Sequence, residues 1–135
     1  MAKILYIEDN PDNMQLVQRV ITAIGHQFLW APDGLSGLSM VGTERPDLIL
    51  LDINLPDIDG YEVARRVRAN KGALLYVPII AITANALKGD ADKALSAGCD
   101  VYMSKPVNIR ELRARVVGFL PDSVIAAPTR QGQPA

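Results

Sequence analysis

The sequence has little of several features that mark other classes of protein. Cys99 is the only cysteine in 135 residues, so the chain can form no internal disulfide and no cysteine-based zinc or CxxC redox site. The 14 lysines and arginines against 15 aspartates and glutamates leave a net charge of -1, which gives no basic surface for nucleic acid. The sequence shows no run of about 18 apolar residues and no secretory leader before Glu8 and Asp9. We therefore expect a cytoplasmic protein that binds neither nucleic acid nor a membrane.

What the sequence does contain is ordinary for one globular domain. The apolar fraction of 49% and the charged fraction of 21% are typical of such domains, and 135 residues are enough for one of them. Residues 122–135 are rich in alanine, proline and glutamine and have no periodicity. We expect residues 1–121 to form the domain and residues 122–135 to be a flexible C-terminal tail.

Five apolar segments alternate with five segments of helical periodicity. The segment 48–51 is the clearest, because its unbroken apolar run is typical of a strand buried on both faces of a parallel sheet. The alternation predicts an α/β fold with right-handed crossovers and helices on both faces of the sheet. The predicted strands are 4–7, 26–30, 48–51, 77–82 and 100–104, and the predicted helices begin at Asn10-Pro11, near Asp33-Gly34, at Tyr61, at Leu87 and at Asn108.

Polar residues stand where four of the predicted strands end. Glu8 and Asp9 follow the first strand, and Asp52, Thr83 and Lys105 follow the third, fourth and fifth. The carboxyl ends of parallel strands share one edge of the sheet, which is where ligands bind in open α/β folds. Three neighbouring carboxylates repel one another unless a cation joins them, and oxygen ligands with space for water suit Mg²⁺. The lysine and the threonine would complete a pocket for a phosphoryl group, with Asp52 as the candidate reactive residue.

Four motifs at this edge carry a family resemblance. They are Ile7-Glu8-Asp9-Asn10, Leu51-Asp52-Ile53-Asn54-Leu55-Pro56, Thr83-Ala84-Asn85-Ala86 and Lys105-Pro106-Val107. With them the chain resembles the receiver domains of bacterial response regulators over residues 1–120, and most of all the short stand-alone receivers of the DivK kind. The resemblance implies a flavodoxin-like (βα)5 doubly wound sandwich with a parallel five-stranded sheet of order 2-1-3-4-5. The receiver domain would span residues 1–121.

The resemblance also implies a role for each residue of the site. Asp52 would be the phosphoacceptor, Lys105 would pair with the phosphoryl oxygens from a cis Lys105-Pro106 peptide, and Thr83 and Tyr102 would be the switch residues. The implied ligands of Mg²⁺ are Glu8, Asp9, Asp52 and the backbone carbonyl of Asn54.

These roles predict a single-domain response regulator of a two-component phosphorelay. Mg²⁺-dependent phosphoryl transfer to Asp52 would come from a phosphohistidine on a sensor histidine kinase or a histidine phosphotransfer protein. It would switch the face made by the fourth helix, the fifth strand and the fifth helix, to which a downstream protein would bind. The chain would be a signalling protein and not an enzyme in the usual sense, although it would catalyse its own phosphorylation and dephosphorylation.

Two other functions compete with this prediction. One is a phosphohydrolase of the haloacid-dehalogenase type, which also forms an aspartyl phosphate. Such enzymes carry a second aspartate two residues after the nucleophile as a general acid, whereas this chain has Asn54, whose amide cannot take that role. The other is a constitutive binding module with a vestigial acidic cluster, against which the intact Thr83 and Lys105 argue.

The remaining chemically distinctive residues are expected to be structural. His26, the only histidine, is expected at the surface, and Phe28 and Trp30 are expected to pack on an edge strand. Cys99 follows Gly98 in a turn, where nothing nearby would lower the pKa of its thiol. The arginines at positions 65, 66 and 68 are expected to form a solvated helix face.

Overall fold

The computed structural model describes residues 1–70, 76–84, 90–121 and 123. Within these residues a parallel five-stranded sheet has the order β2-β1-β3-β4-β5, and strands alternate with helices along the chain. The strands are β1 (Lys3–Ile7), β2 (Gln27–Ala31), β3 (Leu48–Asp52), β4 (Ile79–Thr83) and β5 (Val101–Ser104), and the helices are α1 (Pro11–Ala23), α2 (Gly34–Glu44), α3 (Gly60–Ala69), α4 (Asp90–Ala97) and α5 (Ile109–Phe119). The predicted flavodoxin-like (βα)5 fold and its strand order are confirmed.

Two apolar cores lie on opposite faces of this sheet, because alternate residues of a strand point to opposite sides. On β1, Ile4 and Tyr6 pack with the residues of α1 and α5, whereas Leu5 and Ile7 pack with those of α2, α3 and α4. Every residue of the central strands β3 and β4 is buried. This double burial is why these strands read as continuous apolar runs in the sequence.

Side-chain caps fix where the helices begin. The side chain of Asn10 accepts hydrogen bonds from two backbone N–H groups in the first turn of α1, and Asn108 caps α5 in the same way. Asp59 caps α3, which therefore begins at Gly60, one residue before the predicted start. A Cβ atom on Gly60 would lie 2.6 Å from the carbonyl oxygen of Asp52, so only glycine lets α3 begin this close to the end of β3.

Arg68 binds groups that precede β4 and β5, which begin at Ile79 and Val101 and not at the predicted 77 and 100. Its guanidinium donates to the carbonyl of Val77 at 2.6 Å and to Oδ2 of Asp100 at 2.9 Å. These groups bind the arginine at the positions where the two strands were expected to begin. The Arg68 side chain is only 18% exposed, so the expected solvated position is wrong for it.

The expected surface position of His26 is also wrong, because only 4% of the residue is exposed. Its Nδ1 accepts a hydrogen bond from the backbone N–H of Ala2 at 3.0 Å, so a neutral ring carries its proton on Nε2. Nε2 lies 2.6 Å from the hydroxyl oxygen of Ser123, and that hydroxyl donates to the carbonyl of Leu120. His26 thus joins the start of β1 to the segment that follows α5.

Three predictions fall wholly or partly outside the described residues. They are the end of the third helix at residues 71–72, the start of the fourth helix at Leu87 with the motif residues 85–86, and the tail 122–135 apart from Ser123. The domain boundary at residue 121 therefore stays a prediction. In the described part of the chain, no helix has both the length and the apolar character needed to cross a membrane.

Candidate functional site

The ends of the central strands bring the predicted acidic residues together. Asp52 is the last residue of β3, and Glu8 and Asp9 directly follow β1, which is the neighbour of β3 in the sheet. One carboxylate oxygen from each of the three lies within 4.8 Å of the others. Glu8 and Asp52 are buried, whereas Asp9 is exposed, so the cluster opens to solvent on the side of Asp9.

Lys105 reaches this cluster from the turn after β5. Its Nζ lies 2.8 Å from Oε1 of Glu8 and 3.2 Å from Oδ2 of Asp52. The Lys105-Pro106 peptide is cis, as the family resemblance predicted. Burial alone would lower the pKa of Lys105, but the hydrogen bond and negative charge of Glu8, with those of Asp52, raise the pKa above its ordinary value. The side chain is therefore a fixed positive charge in the site.

The carboxylate of Glu8 has the largest number of hydrogen-bond partners in the site. Oε1 accepts from the hydroxyl of Tyr6 at 2.9 Å and from Nδ2 of Asn13 at 3.2 Å, and Oε2 accepts from the backbone N–H of Asn10 at 3.3 Å. Burial favours the neutral acid, but hydrogen bonds from Asp52 and Lys105 outweigh it and lower the pKa of Glu8 to about 2. Glu8 is therefore ionised throughout the physiological range.

Asp52 differs from Glu8 in its charge state, although it lies in the same cluster. Its Oδ1 accepts a hydrogen bond from the backbone N–H of Asn54 at 3.0 Å. Burial, followed by the hydrogen bond and the negative charge of Glu8, raises the pKa of Asp52 to about 7. Below about pH 7 and without metal, a proton on Asp52 would thus relieve the repulsion between the two carboxylates.

The donors in the cluster fit Mg²⁺. All three side chains offer carboxylate oxygens, which are the ligands this hard cation prefers, and the exposed position of Asp9 leaves access for water. Burial, and then the hydrogen bond and charge of Glu8, also raise the pKa of Asp9. A divalent cation would replace the proton on Asp52 and remove the same repulsion, so the electrostatics of the site favour its binding.

The two predicted switch residues lie on the adjacent strands β4 and β5. Thr83 is the buried last residue of β4, and its hydroxyl donates to Oδ1 of Asn54 at 3.4 Å. Tyr102 lies on the edge strand β5 in register with Ala81 of β4, and its half-buried ring packs against the core on the side of α2, α3 and α4. Cys99 lies outside the site, and burial raises the pKa of its thiol to about 11, in line with the predicted lack of reactivity.

Three residues of the site escaped the sequence interpretation, which treated Tyr6, Asn13 and Trp30 as core, helix and edge-strand residues. Tyr6 and Asn13 bind the carboxylate of Glu8, and Nε1 of Trp30 donates to its backbone carbonyl at 2.6 Å. A signal for Tyr6 was present, because residues two apart on a strand share a face and a buried phenol needs a hydrogen-bond acceptor. No comparable signal pointed to Trp30, which comes from another strand.

Comparisons with known proteins give a consistent result. Residues 4–117 match the family described as the response regulator receiver domain. The polar-differentiation response regulator DivK of Brucella anthropi is 36% identical over 120 residues, which cover 89% of this chain and 97% of that protein.

Solved structures agree in fold. The receiver domain of the sensor histidine kinase PA1611 from Pseudomonas aeruginosa PAO1, described with a magnesium ion coordinated in its active-site cleft, is 36% identical with a TM-score of 0.81 and covers 89% of this chain and 98% of its own. The chemotaxis protein CheY4 of Vibrio cholerae is 26% identical with a TM-score of 0.82 and covers 89% of this chain and 99% of its own.

Proposed function

The chain belongs to the family of response regulator receiver domains of two-component systems, and from this membership we propose that Asp52 is its phosphoacceptor. The phosphoryl group would come from a phosphohistidine on a sensor histidine kinase or a histidine phosphotransfer protein. One observation carries the proposal. The buried carboxylate of Asp52 ends the central strand β3, with the ammonium of Lys105 3.2 Å away and two further carboxylates beside it.

The phosphoryl transfer needs Asp52 as a carboxylate. An oxygen of Asp52 attacks phosphorus, the new O–P bond forms as the P–N bond breaks, and the electron pair returns to the imidazole nitrogen of the donor. The backbone N–H of Asn54 orients the carboxylate through Oδ1. Lys105, which contacts Oδ2 of Asp52, would then pair with the phosphoryl oxygens and offset their charge.

The carboxylates of Glu8, Asp9 and Asp52, with the backbone carbonyl of Asn54, would hold Mg²⁺, which when bound neutralises charge on the phosphoryl oxygens. The same groups would allow the chain to catalyse its own phosphorylation and, when water attacks the acyl phosphate, its own dephosphorylation. The expected cytoplasmic location stays a prediction.

The signal would leave through the face formed by α4, β5 and α5, where a downstream protein would bind. Thr83 ends β4 and follows Ile82, which is in register with Asp52, and its hydroxyl would move towards a phosphoryl oxygen on Asp52. α4 is a short helix, and the exposed Leu95 on it leaves apolar surface for a partner. A cavity of about 230 Å³ between β5 and α5, lined by Val101 and Phe119 among others, adjoins this face.

Asn54 argues against the alternative function as a phosphohydrolase. The residue two positions after the nucleophile would have to donate a proton to the leaving group. Here that position is an amide whose oxygen accepts a hydrogen bond from Thr83. No acid stands at that position, so the observations favour the receiver function.

Intact-mass spectrometry after incubation with Mg²⁺ and acetyl phosphate tests the proposal. The protein should gain the mass of one phosphoryl group, and Asp52→Asn, which keeps the size of the side chain, should gain none. Asp12→Asn is the matched control, because Asp12 is an exposed carboxylate in the first turn of α1. A phosphoryl group on Asp52→Asn, or none on the wild type, would contradict the proposal.

A further inference from the structure

Tyr6 is a buried polar residue whose hydroxyl binds a member of the proposed site. Its side chain is completely buried in β1, in the core between the sheet and α1, and its hydroxyl donates to Oε1 of Glu8 at 2.9 Å. The phenol is the donor of this bond, because an ionised carboxylate oxygen can only accept. A phenylalanine would fill the same space, whereas only the tyrosine hydroxyl can bind Glu8.

Trp30 holds the same residue from the neighbouring strand. It is in register with Tyr6 across the β1–β2 pair, and its indole Nε1–H donates to the backbone carbonyl of Glu8 at 2.6 Å. The backbone N–H of Glu8 donates to the carbonyl of Ala31 at 3.0 Å. Both the backbone N–H and the backbone carbonyl of Glu8 are therefore bound by residues of β2, and its carboxylate is bound by Tyr6 of β1.

The bond from Tyr6 differs from the bond from Lys105 in its role in the proposed reaction. Lys105, which binds the same oxygen as Tyr6, would turn to the phosphoryl oxygens once they are present. Tyr6 precedes Glu8 by two residues, and its hydroxyl donates to Glu8 and has no role in the proposed transfer of the phosphoryl group. The phenol and the indole are thus two groups that hold this acidic ligand without taking part in the proposed reaction.

We propose that Tyr6 and Trp30 are positioning residues that hold Glu8 in the geometry in which it binds Mg²⁺, an inference that rests on the proposed function. Partners that orient a metal ligand usually contribute strongly to metal affinity, and their removal weakens binding about 10–100-fold. The Tyr6→Phe change removes only the hydroxyl. Because Oε1 of Glu8 keeps Asn13 and Lys105 as donors, no buried group loses its last partner and the fold is retained.

Calorimetric titration with Mg²⁺ at about pH 8, well above the ordinary pKa of a carboxyl group, tests the proposal with Tyr6→Phe and Trp30→Phe. Each variant should bind Mg²⁺ about tenfold more weakly than the wild type. Tyr76→Phe is the matched control, because it removes a phenol hydroxyl that is 80% exposed and should leave the affinity unchanged. The phosphorylation rate with acetyl phosphate should return to the wild-type value at saturating Mg²⁺, because the chemical groups themselves are intact.

A merely structural role gives a different pattern. The variants would then lose stability to urea in the absence of metal while binding Mg²⁺ as tightly as Tyr76→Phe, and this result would overturn the proposal. If Tyr6→Phe does not fold, the half-buried Trp30 still gives the same comparison through Trp30→Phe. A wild-type protein that binds no Mg²⁺ would instead refute the proposed function, so the two failures are distinguishable.

Discussion

The ammonium of Lys105 lies 2.8 Å from a carboxylate oxygen of Glu8, a residue with no exposed surface. This pair joins the turn after β5 to the end of β1 across two intervening strands, β3 and β4. Without metal, Lys105 is the cation that offsets the buried negative charge. The lysine therefore stabilises the metal-free fold as well as serving the proposed reaction.

Replacing this cation should destabilise the metal-free protein. Lys105→Met leaves the Glu8 carboxylate buried without its positive partner, which typically costs about 3 kcal/mol of unfolding free energy. Mg²⁺ should restore part of the loss by supplying positive charge at the same cluster. Urea unfolding with and without Mg²⁺ measures both effects, with Lys93→Met as the control because Lys93 is exposed on α4. Equal stability of the two variants without Mg²⁺ would show that Lys105 has no such role.

The affinity for Mg²⁺ should depend on pH through Asp52. Burial and the neighbouring Glu8 raise the pKa of Asp52 to about 7, so the metal must displace a proton below that pH. Affinity should therefore rise about tenfold per pH unit up to about pH 7 and level off above it. Calorimetry across this range checks the dependence, and a flat profile below pH 7 would contradict the proton held on Asp52.

The same raised pKa has a consequence for the stability of the metal-free protein. A carboxyl group whose folded-state pKa exceeds its ordinary value of 3.8 contributes stability at low pH, and that contribution is lost as the pH rises through about 7. Glu8, whose pKa is lowered, acts in the opposite direction, and its contribution is lost only as the pH falls from about 4.5 towards 2. Between about pH 4.5 and 7 the Asp52 effect should therefore dominate. Asp52→Asn should therefore flatten the loss of stability measured by urea unfolding in this window.

Asp9 should contribute to the affinity for Mg²⁺ and not to the stability of the metal-free fold. Burial, and then the hydrogen bond and charge of Glu8, raise the pKa of Asp9. Asp9→Ala removes an anionic ligand together with the repulsion between these two carboxylates. The variant should bind Mg²⁺ more weakly and phosphorylate more slowly, while its metal-free stability stays equal to or above that of the wild type. Asp12→Ala, at an exposed carboxylate on α1, is the control for calorimetry. Equal Mg²⁺ affinity in the two variants would refute the assignment of Asp9 as a ligand.

Much of this site could be predicted because its chemistry stands at strand ends. Asp52, Thr83 and Lys105 each follow an apolar run, and the shared edge of a parallel sheet brings them together. The fold could also be predicted, because strands that are buried on both faces, such as β3, are continuous apolar runs in the sequence.

The residues that were missed depend on contacts between segments far apart in the sequence. Trp30 binds a backbone carbonyl on another strand, and His26 is buried by residues from the two ends of the described chain, Ala2 and Ser123. Arg68 donates hydrogen bonds to carbonyl and carboxylate groups that lie about 10 to 30 residues further along the chain. Local pattern and composition carry no signal for such pairings, because each side chain alone looks like an ordinary surface or edge residue.

The switch route from Asp52 to the α4–β5–α5 face should require the hydroxyl of Thr83. Thr83→Ala keeps the acceptor residue and the metal ligands but removes the group that would move towards the phosphoryl oxygens. Phosphorylation should still occur, whereas the gain in affinity for a downstream partner, expected at about 1–3 kcal/mol, should be lost. Partner binding with and without phosphodonor measures this gain. If phosphorylation strengthens binding by Thr83→Ala as much as by the wild type, the switch route through Thr83 is wrong.

The identity of the phosphorylated residue tests the central claim most directly. After incubation with Mg²⁺ and acetyl phosphate, borohydride reduction converts an acyl phosphate into a stable alcohol, which peptide mass spectrometry can assign to one residue. The predicted result is modification at Asp52 alone, and none when Mg²⁺ is removed by a chelator. Modification at another aspartate, such as Asp9 or Asp57, with Asp52 unchanged would contradict the assignment of Asp52 as the phosphoacceptor.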